Sequence, residues 1–154
     1  MSDTQKLDQK SRCRTADNKV SRYNSMFLGS AMFLFGFLKF FEPFRTWFDV
    51  QVTKSGLPRF SIPIGIAGEI SIGLSLLSAS GCTRKPSNLF GPIVFTASAG
   101  LIANMAGATY VHLHPEVPAS VLPLKIKPPF IPLFFMFLAA VNLVQRDRVN
   151  NRQS

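Results

Sequence analysis

Four long apolar blocks, almost free of charge, are the feature that most constrains this 154-residue chain. They cover residues 24–41, 60–79, 89–113 and 129–144. Only two charged side chains, Lys39 and Glu69, lie within them, although the chain has 17 Lys and Arg and 8 Asp and Glu. A helix that crosses the ~30 Å hydrocarbon layer of a bilayer needs about 20 mostly apolar residues. The blocks have 18, 20, 25 and 16 residues, so the sequence predicts four transmembrane helices.

The competing interpretation is a soluble bundle with buried helices. Such helices show a polar face every 3.6 residues, and residues 26–41 and 93–111 show none. The predicted fold is therefore all-α, a four-transmembrane-helix bundle over residues 24–144, with polar tails at 1–23 and 145–154. The fourth helix begins at Pro129 and Pro132, which a first turn tolerates, and we expect it to continue past Val144.

The distribution of basic residues predicts the orientation of the bundle. The two tails and the second connection together have eleven Lys and Arg, against six in and near the other two connections. The positive-inside rule then places both termini in the cytoplasm of a multi-pass protein of the inner or plasma membrane. The basic residues flank apolar ends without interleaved aromatic residues, which favours anionic lipid over nucleic acid as their partner. Residues 1–22 are expected to form a disordered arm.

Two of the connections have distinctive sequences. Aromatic residues at helical spacing, Phe44, Trp47 and Phe48, predict a short amphipathic helix in the head-group zone, with an aromatic belt without regular structure as the alternative. Gly56-Leu57-Pro58 then predicts a turn. Five prolines between residues 114 and 130 predict a stiff segment that is either a lid over the bundle or a rigid spacer.

Glu69 is the most informative residue because a carboxyl group near the middle of a bilayer is costly. Gly65 and Gly73 lie four residues before and after it, and Gly68 is adjacent. This stripe of small residues predicts that Glu69 points into the bundle. Asn104 has a similar expected depth and shares a helix face with His112. We therefore expect a protonated Glu69 that hydrogen-bonds Asn104 or a water molecule.

The other polar residues of the blocks have simpler interpretations. Lys39 is near the end of the first helix, and we favour extension of its ammonium to the head groups over an ion pair with Glu69. His112 and His114 diverge by about 200° on a helix, so we expect an interfacial or proton-handling histidine and no metal centre. Cys13 and Cys82 are expected to be reduced, incidental thiols. No hydrolase or kinase motif is present, and whether the chain is an enzyme stays open.

The order of these features is similar to that of a known family. They are Gly29, Gly36 and Lys39 in the first helix, then Trp47, Gly56-Leu57-Pro58, Gly68-Glu69-Ile70, Gly73 and His112. Over residues 25–143 the chain resembles the DoxX-like family of four-helix membrane proteins.

The resemblance implies a subunit of a quinone-linked membrane oxidoreductase assembly that has no redox centre of its own. It makes Lys39, Glu69 and His112 the candidate polar-pocket residues. Asn104 is added because of its expected depth in the bilayer and its position on the helix face of His112. No intrinsic cofactor is expected, and the diffusible cofactor that the resemblance implies is a quinone. The expected partners are the lipid bilayer and either a membrane redox partner or a second copy of the chain. Two alternatives stay open: a non-enzymatic helper that packs through Gly65 and Gly73, and a small-molecule or proton carrier that uses Glu69.

Overall fold

The computed structural model describes residues 3–81 and 90–151, and every regular element in these ranges is helical. The α-helices are α1 Asp3–Leu38, α2 Phe44–Lys54, α3 Ser61–Gly81, α4 Phe90–Leu113 and α5 Phe130–Asn151, with short 3₁₀ turns at Ala119–Val121 and Pro123–Lys125. The predicted all-α class is confirmed. Residues 82–89, which include Cys82 and most of the predicted second connection, lie outside the described residues.

The four long helices form a ring in which each packs against two others. α1 packs against α3 and α5, and α4 packs against the same two helices. Gly29 of α1 lies against Leu77 of α3, and Gly36 lies against Ile70, so α1 and α3 are antiparallel. The core between the helices is apolar and includes the fully buried Leu28, Met32, Leu76, Leu101 and Ala139.

Small residues allow α1 and α3 to approach closely. A Cβ atom on Gly73 would lie 2.6 Å from the backbone N of Phe33 and 2.9 Å from the carbonyl O of Gly29. The predicted stripe of small residues is nevertheless only partly right. Gly65 faces the ring of Phe48 in α2, and a Cβ atom on Gly68 would meet nothing within 4 Å. The prediction that Gly68 belongs to an inward stripe is wrong.

The outward faces of the helices are apolar, in contrast to those of a soluble bundle. Large hydrophobic side chains are exposed on all four long helices, among them Phe27, Leu34 and Phe37 of α1, Ile64 and Leu74 of α3, Phe95 of α4, and Leu133, Phe134 and Phe137 of α5. Within the described ranges, two segments are long and apolar enough to cross a membrane, Ser61–Ser80 and Gly91–Leu113. The apolar part of α5, Phe130–Gln145, is shorter.

Both ends of α1 differ from the prediction, whereas the end of α5 agrees with it. α1 begins at Asp3, so the backbone of the expected disordered arm is helical and that prediction is wrong. α1 ends at Leu38 rather than at residue 41, because the N–H groups of Phe40 and Phe41 bond to carbonyls three residues earlier and tighten the chain into a turn. α5 continues past Val144, as predicted.

The two long connections meet at one end of the bundle, which we call the α2 end. The short helix predicted in the first connection is confirmed as α2, and Gly56 has the positive φ of 73° that its turn requires. Val117 and Leu122 of the Pro-rich connection are buried against Val111 and Leu57. Gln51 Nε2 of α2 donates a hydrogen bond to the carbonyl O of Val121. The Pro-rich connection therefore packs on the bundle as a lid and is not a mere spacer.

Candidate functional site

Lys39 and Glu69 form an ion pair inside the bundle, near its α2 end. Lys39 Nζ lies 2.5 Å from Glu69 Oε1, and the two side chains are only 16% and 8% exposed. The ammonium also lies 3.7 Å from the centroid of the Phe48 ring. A carboxylate and an aromatic face thus both stabilise the lysine charge. The preferred interpretation of Lys39 as a residue that extends to the head groups is wrong.

The close approach of α1 and α3 positions this pair. A Cβ atom on Gly36 would lie only 3.1 Å from Glu69 Cβ, so α3 passes directly beside α1 at this level. Lys39 follows Gly36 by three residues, just after the end of α1. Residues three apart on a helix share a face. The lysine side chain therefore reaches back along α1 to the carboxylate.

One oxygen of the Glu69 carboxylate has no partner among the described residues. Oε2 is buried and forms no hydrogen bond within residues 3–81 and 90–151. The expected hydrogen bond to Asn104 is absent from the same part of the chain, so that alternative is wrong, whereas the hydrogen bond to a water molecule stays a prediction. A buried acceptor without a donor is unfavourable, so a donor from a ligand or a water molecule would stabilise it.

A groove of about 640 Å³ opens beside Lys39 at the α2 end. This volume is within the range of small-molecule sites. The groove lies between α2 and the first turns of α3, and Lys39 and Phe48 line it together with charged residues of the α2 region and aliphatic residues of α3. The ion pair and the groove together form the candidate site.

The other two predicted site residues are not joined to this pair. Asn104 is half-buried, and its side chain forms no hydrogen bond with any described residue. His112 is buried near the α2 end, where its ring lies by the backbone of Lys127 and its Nδ1 has no hydrogen-bond partner among the described residues. No hydrogen bond or ion pair links either residue to Lys39 or Glu69 in the described ranges.

The two histidines, His112 and His114, lie in different surroundings. His114 is half-buried, its Nδ1 accepts a hydrogen bond from the backbone N–H of Glu116, and its ring lies 5.8 Å from that of Tyr110. Among the described residues, no three His, Cys, Asp or Glu side chains are grouped to hold a metal ion.

A polar network at the opposite end of the bundle was missed from the sequence. Asn24 Nδ2 donates hydrogen bonds to the carbonyl O of Leu138 and to Asn142 Oδ1, and Asn142 Nδ2 donates to Ser25 Oγ. The network joins α1 to α5 where both are apolar. Asn142 is the sole amide side chain in the fourth apolar block, which is the pattern that could have identified it.

No protein-family model, curated protein or solved structure matches this chain. The resemblance to the DoxX-like family stays a prediction.

Proposed function

We propose that the chain is an integral membrane protein in which α1, α3, α4 and α5 cross the bilayer and both termini face the cytoplasm. The apolar outward faces of these helices support this, because large exposed hydrophobic surfaces are costly in water and matched by lipid. The two long apolar helices, α3 and α4, are consistent with it. In this arrangement α2 and the Pro-rich connection lie at the outer face of the inner or plasma membrane.

We further propose a DoxX-like role, as a subunit without a redox centre in a quinone-linked oxidoreductase assembly. A quinone supplies carbonyl acceptors and, when reduced, two hydroxyl donors. Lys39 Nζ has donors in excess of its bond to Glu69, and Glu69 Oε2 is an acceptor without a donor among the described residues. The two residues thus have the complementary groups for such a head group. In this proposal the two residues bind and orient the head group.

The observation that carries this proposal is the buried pair beside a groove. A lysine and a glutamate buried only for stability would satisfy all their polar atoms with protein groups. Here Oε2 is left without a partner in the described part of the chain, and Lys39 lines a cavity large enough for a ring.

The experiment is purification of the full chain from native membranes, followed by solvent extraction and mass spectrometry of bound lipids. We expect a quinone in the wild-type extract and a loss of it in Glu69→Gln and Lys39→Met. Glu116→Gln, which changes an exposed acid of the Pro-rich connection, is the matched control and should retain it. A wild-type extract without quinone would contradict the quinone role.

The same pair also supports a carrier, because ionisable side chains within membrane helices mark ion and proton pathways. The two roles differ in proteoliposomes that contain only this chain. A carrier gives a proton or solute flux that Glu69→Gln abolishes, whereas the quinone-linked subunit gives none. The helper interpretation is weakened, because Gly73 packs against α1 and Gly65 against Phe48, so neither is left for a partner protein.

A further inference from the structure

The groove at the α2 end has two chemically different walls. Polar residues of the α2 region lie at spacings of three and four residues, which places them on one helix face. Aliphatic residues from the start of α3 form the opposite wall. The polar wall comprises Glu42, Arg45, Thr46 and Asp49, and the apolar wall comprises Ile62, Pro63 and Ile66. A groove of this kind suits an amphiphile that has a polar head and an aliphatic body.

The charges of the polar wall are not all available. Glu42 Oε2 accepts hydrogen bonds from Thr46 Oγ1, at 2.6 Å, and from the Thr46 backbone N–H, at 3.3 Å. Arg45 and Asp49 are exposed, one helical turn apart, and within the described residues neither forms an ion pair with the other or with any third residue. The polar wall therefore presents one cation and one anion that protein groups leave unneutralised.

We propose that this groove binds the head group of a zwitterionic phospholipid of the outer leaflet. Arg45 holds the phosphate, because a guanidinium offers paired donors to phosphate oxygens. Asp49 accepts hydrogen bonds from the lipid ammonium. The first carbons of the acyl chains lie along Ile62, Pro63 and Ile66. This inference rests on the proposed membrane insertion, which puts α2 at the head-group level, but it uses Arg45 and Asp49 rather than Lys39 and Glu69. Because Lys39 lines the same groove, a lipid bound there and a quinone would compete for it.

Phosphatidylethanolamine fits these two residues better than other common lipids. Its primary ammonium donates hydrogen bonds to a carboxylate, whereas the trimethylammonium of phosphatidylcholine has no N–H to donate. Phosphatidylglycerol has no cationic group that could pair with the Asp49 carboxylate. Asp49 and Glu42 also disfavour a lipid with net negative charge.

Native mass spectrometry of the detergent-solubilised full chain, titrated with each dioleoyl lipid in turn, tests the proposal. We expect wild-type protein to bind phosphatidylethanolamine about tenfold more tightly than phosphatidylcholine or phosphatidylglycerol, as one charge-assisted hydrogen bond implies. This comparison needs no variant. Equal affinity for the three lipids would overturn the proposal.

Two variants then separate the roles of the two residues. Arg45→Gln should weaken the binding of phosphatidylethanolamine and of phosphatidylcholine alike, because both lipids have the phosphate. Asp49→Asn should weaken the binding of phosphatidylethanolamine alone and so remove the preference for this lipid. Lys54→Gln, an exposed cation of α2 outside the groove, and Glu116→Gln are the matched controls and should bind as wild type does. An Asp49→Asn variant that keeps the full preference would also overturn the proposal.

Alkaline carbonate extraction of the same membranes distinguishes this failure from that of the membrane proposal. Protein that stays in the pellet but shows no lipid preference contradicts only the head-group site. Protein that is released into the supernatant contradicts the membrane insertion on which the site rests.

Discussion

The ammonium of Lys39 lies 2.5 Å from Oε1 of Glu69, so the two charged side chains of the four apolar blocks bind each other. The pair joins the end of α1 to the first half of α3, across a contact that Gly36 makes close. An apolar bundle can hold two charges when each compensates the other. The pairing explains how both residues are accommodated inside an apolar bundle.

Removal of one charge of this pair should destabilise the protein more than removal of both charges. Lys39→Met leaves the Glu69 carboxylate buried alone, and Glu69→Leu leaves the ammonium without its carboxylate. We expect Lys39→Met to lower the free energy of unfolding by about 3 kcal/mol, and Lys39→Met/Glu69→Leu to recover much of that loss. Thermal unfolding of the detergent-solubilised variants gives the cycle. A double variant as unstable as the sum of both single variants would show that the pair does not couple.

The α1–α3 contact should tolerate no side chain at Gly73. Gly73→Ala places a Cβ atom 2.6 Å from the backbone N of Phe33, and a backbone cannot turn aside as a side chain can. We expect a loss of about 2 kcal/mol in the free energy of unfolding. Gly68→Ala, on the same helix, is the matched control.

Gly68→Ala meets nothing within 4 Å and should stabilise the chain by about 0.5 kcal/mol through its higher helix propensity. Chemical unfolding of both variants in one detergent compares them. If Gly73→Ala were as stable as Gly68→Ala, the close helix contact would be wrong.

The Asn142 network should contribute more to stability than Asn104 does. Asn142→Ala removes the hydrogen-bond partner of Asn24 and of Ser25 inside the apolar bundle, and we expect a loss of about 2 kcal/mol in the free energy of unfolding. Asn104→Ala breaks no hydrogen bond among the described residues and should change stability by less than about 0.5 kcal/mol. Unfolding midpoints measured side by side check the order, and a larger effect at Asn104 would contradict it.

The sequence predicted the number and type of long helices because each apolar block is long and has at most one charged side chain. It also predicted that Glu69 points inward, and the structure buries that residue to 6% exposure. It did not predict the partner of Glu69. Depth along a helix follows from counting residues, which suggested Asn104, but the rotation of each helix depends on which neighbour packs closest. The close helix contact at Gly36 orients the Glu69 face of α3 toward α1 and hence toward Lys39.

The helical continuation of α1 to Asp3 was not predicted for a different reason. Residues 3–22 are polar and show no apolar periodicity, so composition indicated disorder. A polar pocket that includes Lys39 was predicted, but its lining by α2 and α3 was not. The turn after Leu38 determines how α2 lies against α3, and a turn of that kind is not visible in hydrophobic periodicity.

Cysteine labelling in intact membranes tests the central claim, that lipid covers the apolar outward faces of the bundle. In a Cys13→Ser/Cys82→Ser background, single cysteines replace Leu34, Leu74 and Phe137, which lie on three different helices and have exposed fractions of 51%, 52% and 64%. Thr53→Cys, an exposed position of α2, is the control. We predict that a membrane-impermeant maleimide labels Thr53→Cys in intact cells and leaves the other three unlabelled until the membrane is dissolved in denaturant. Labelling of Leu34→Cys, Leu74→Cys and Phe137→Cys as fast as Thr53→Cys would contradict the membrane bundle.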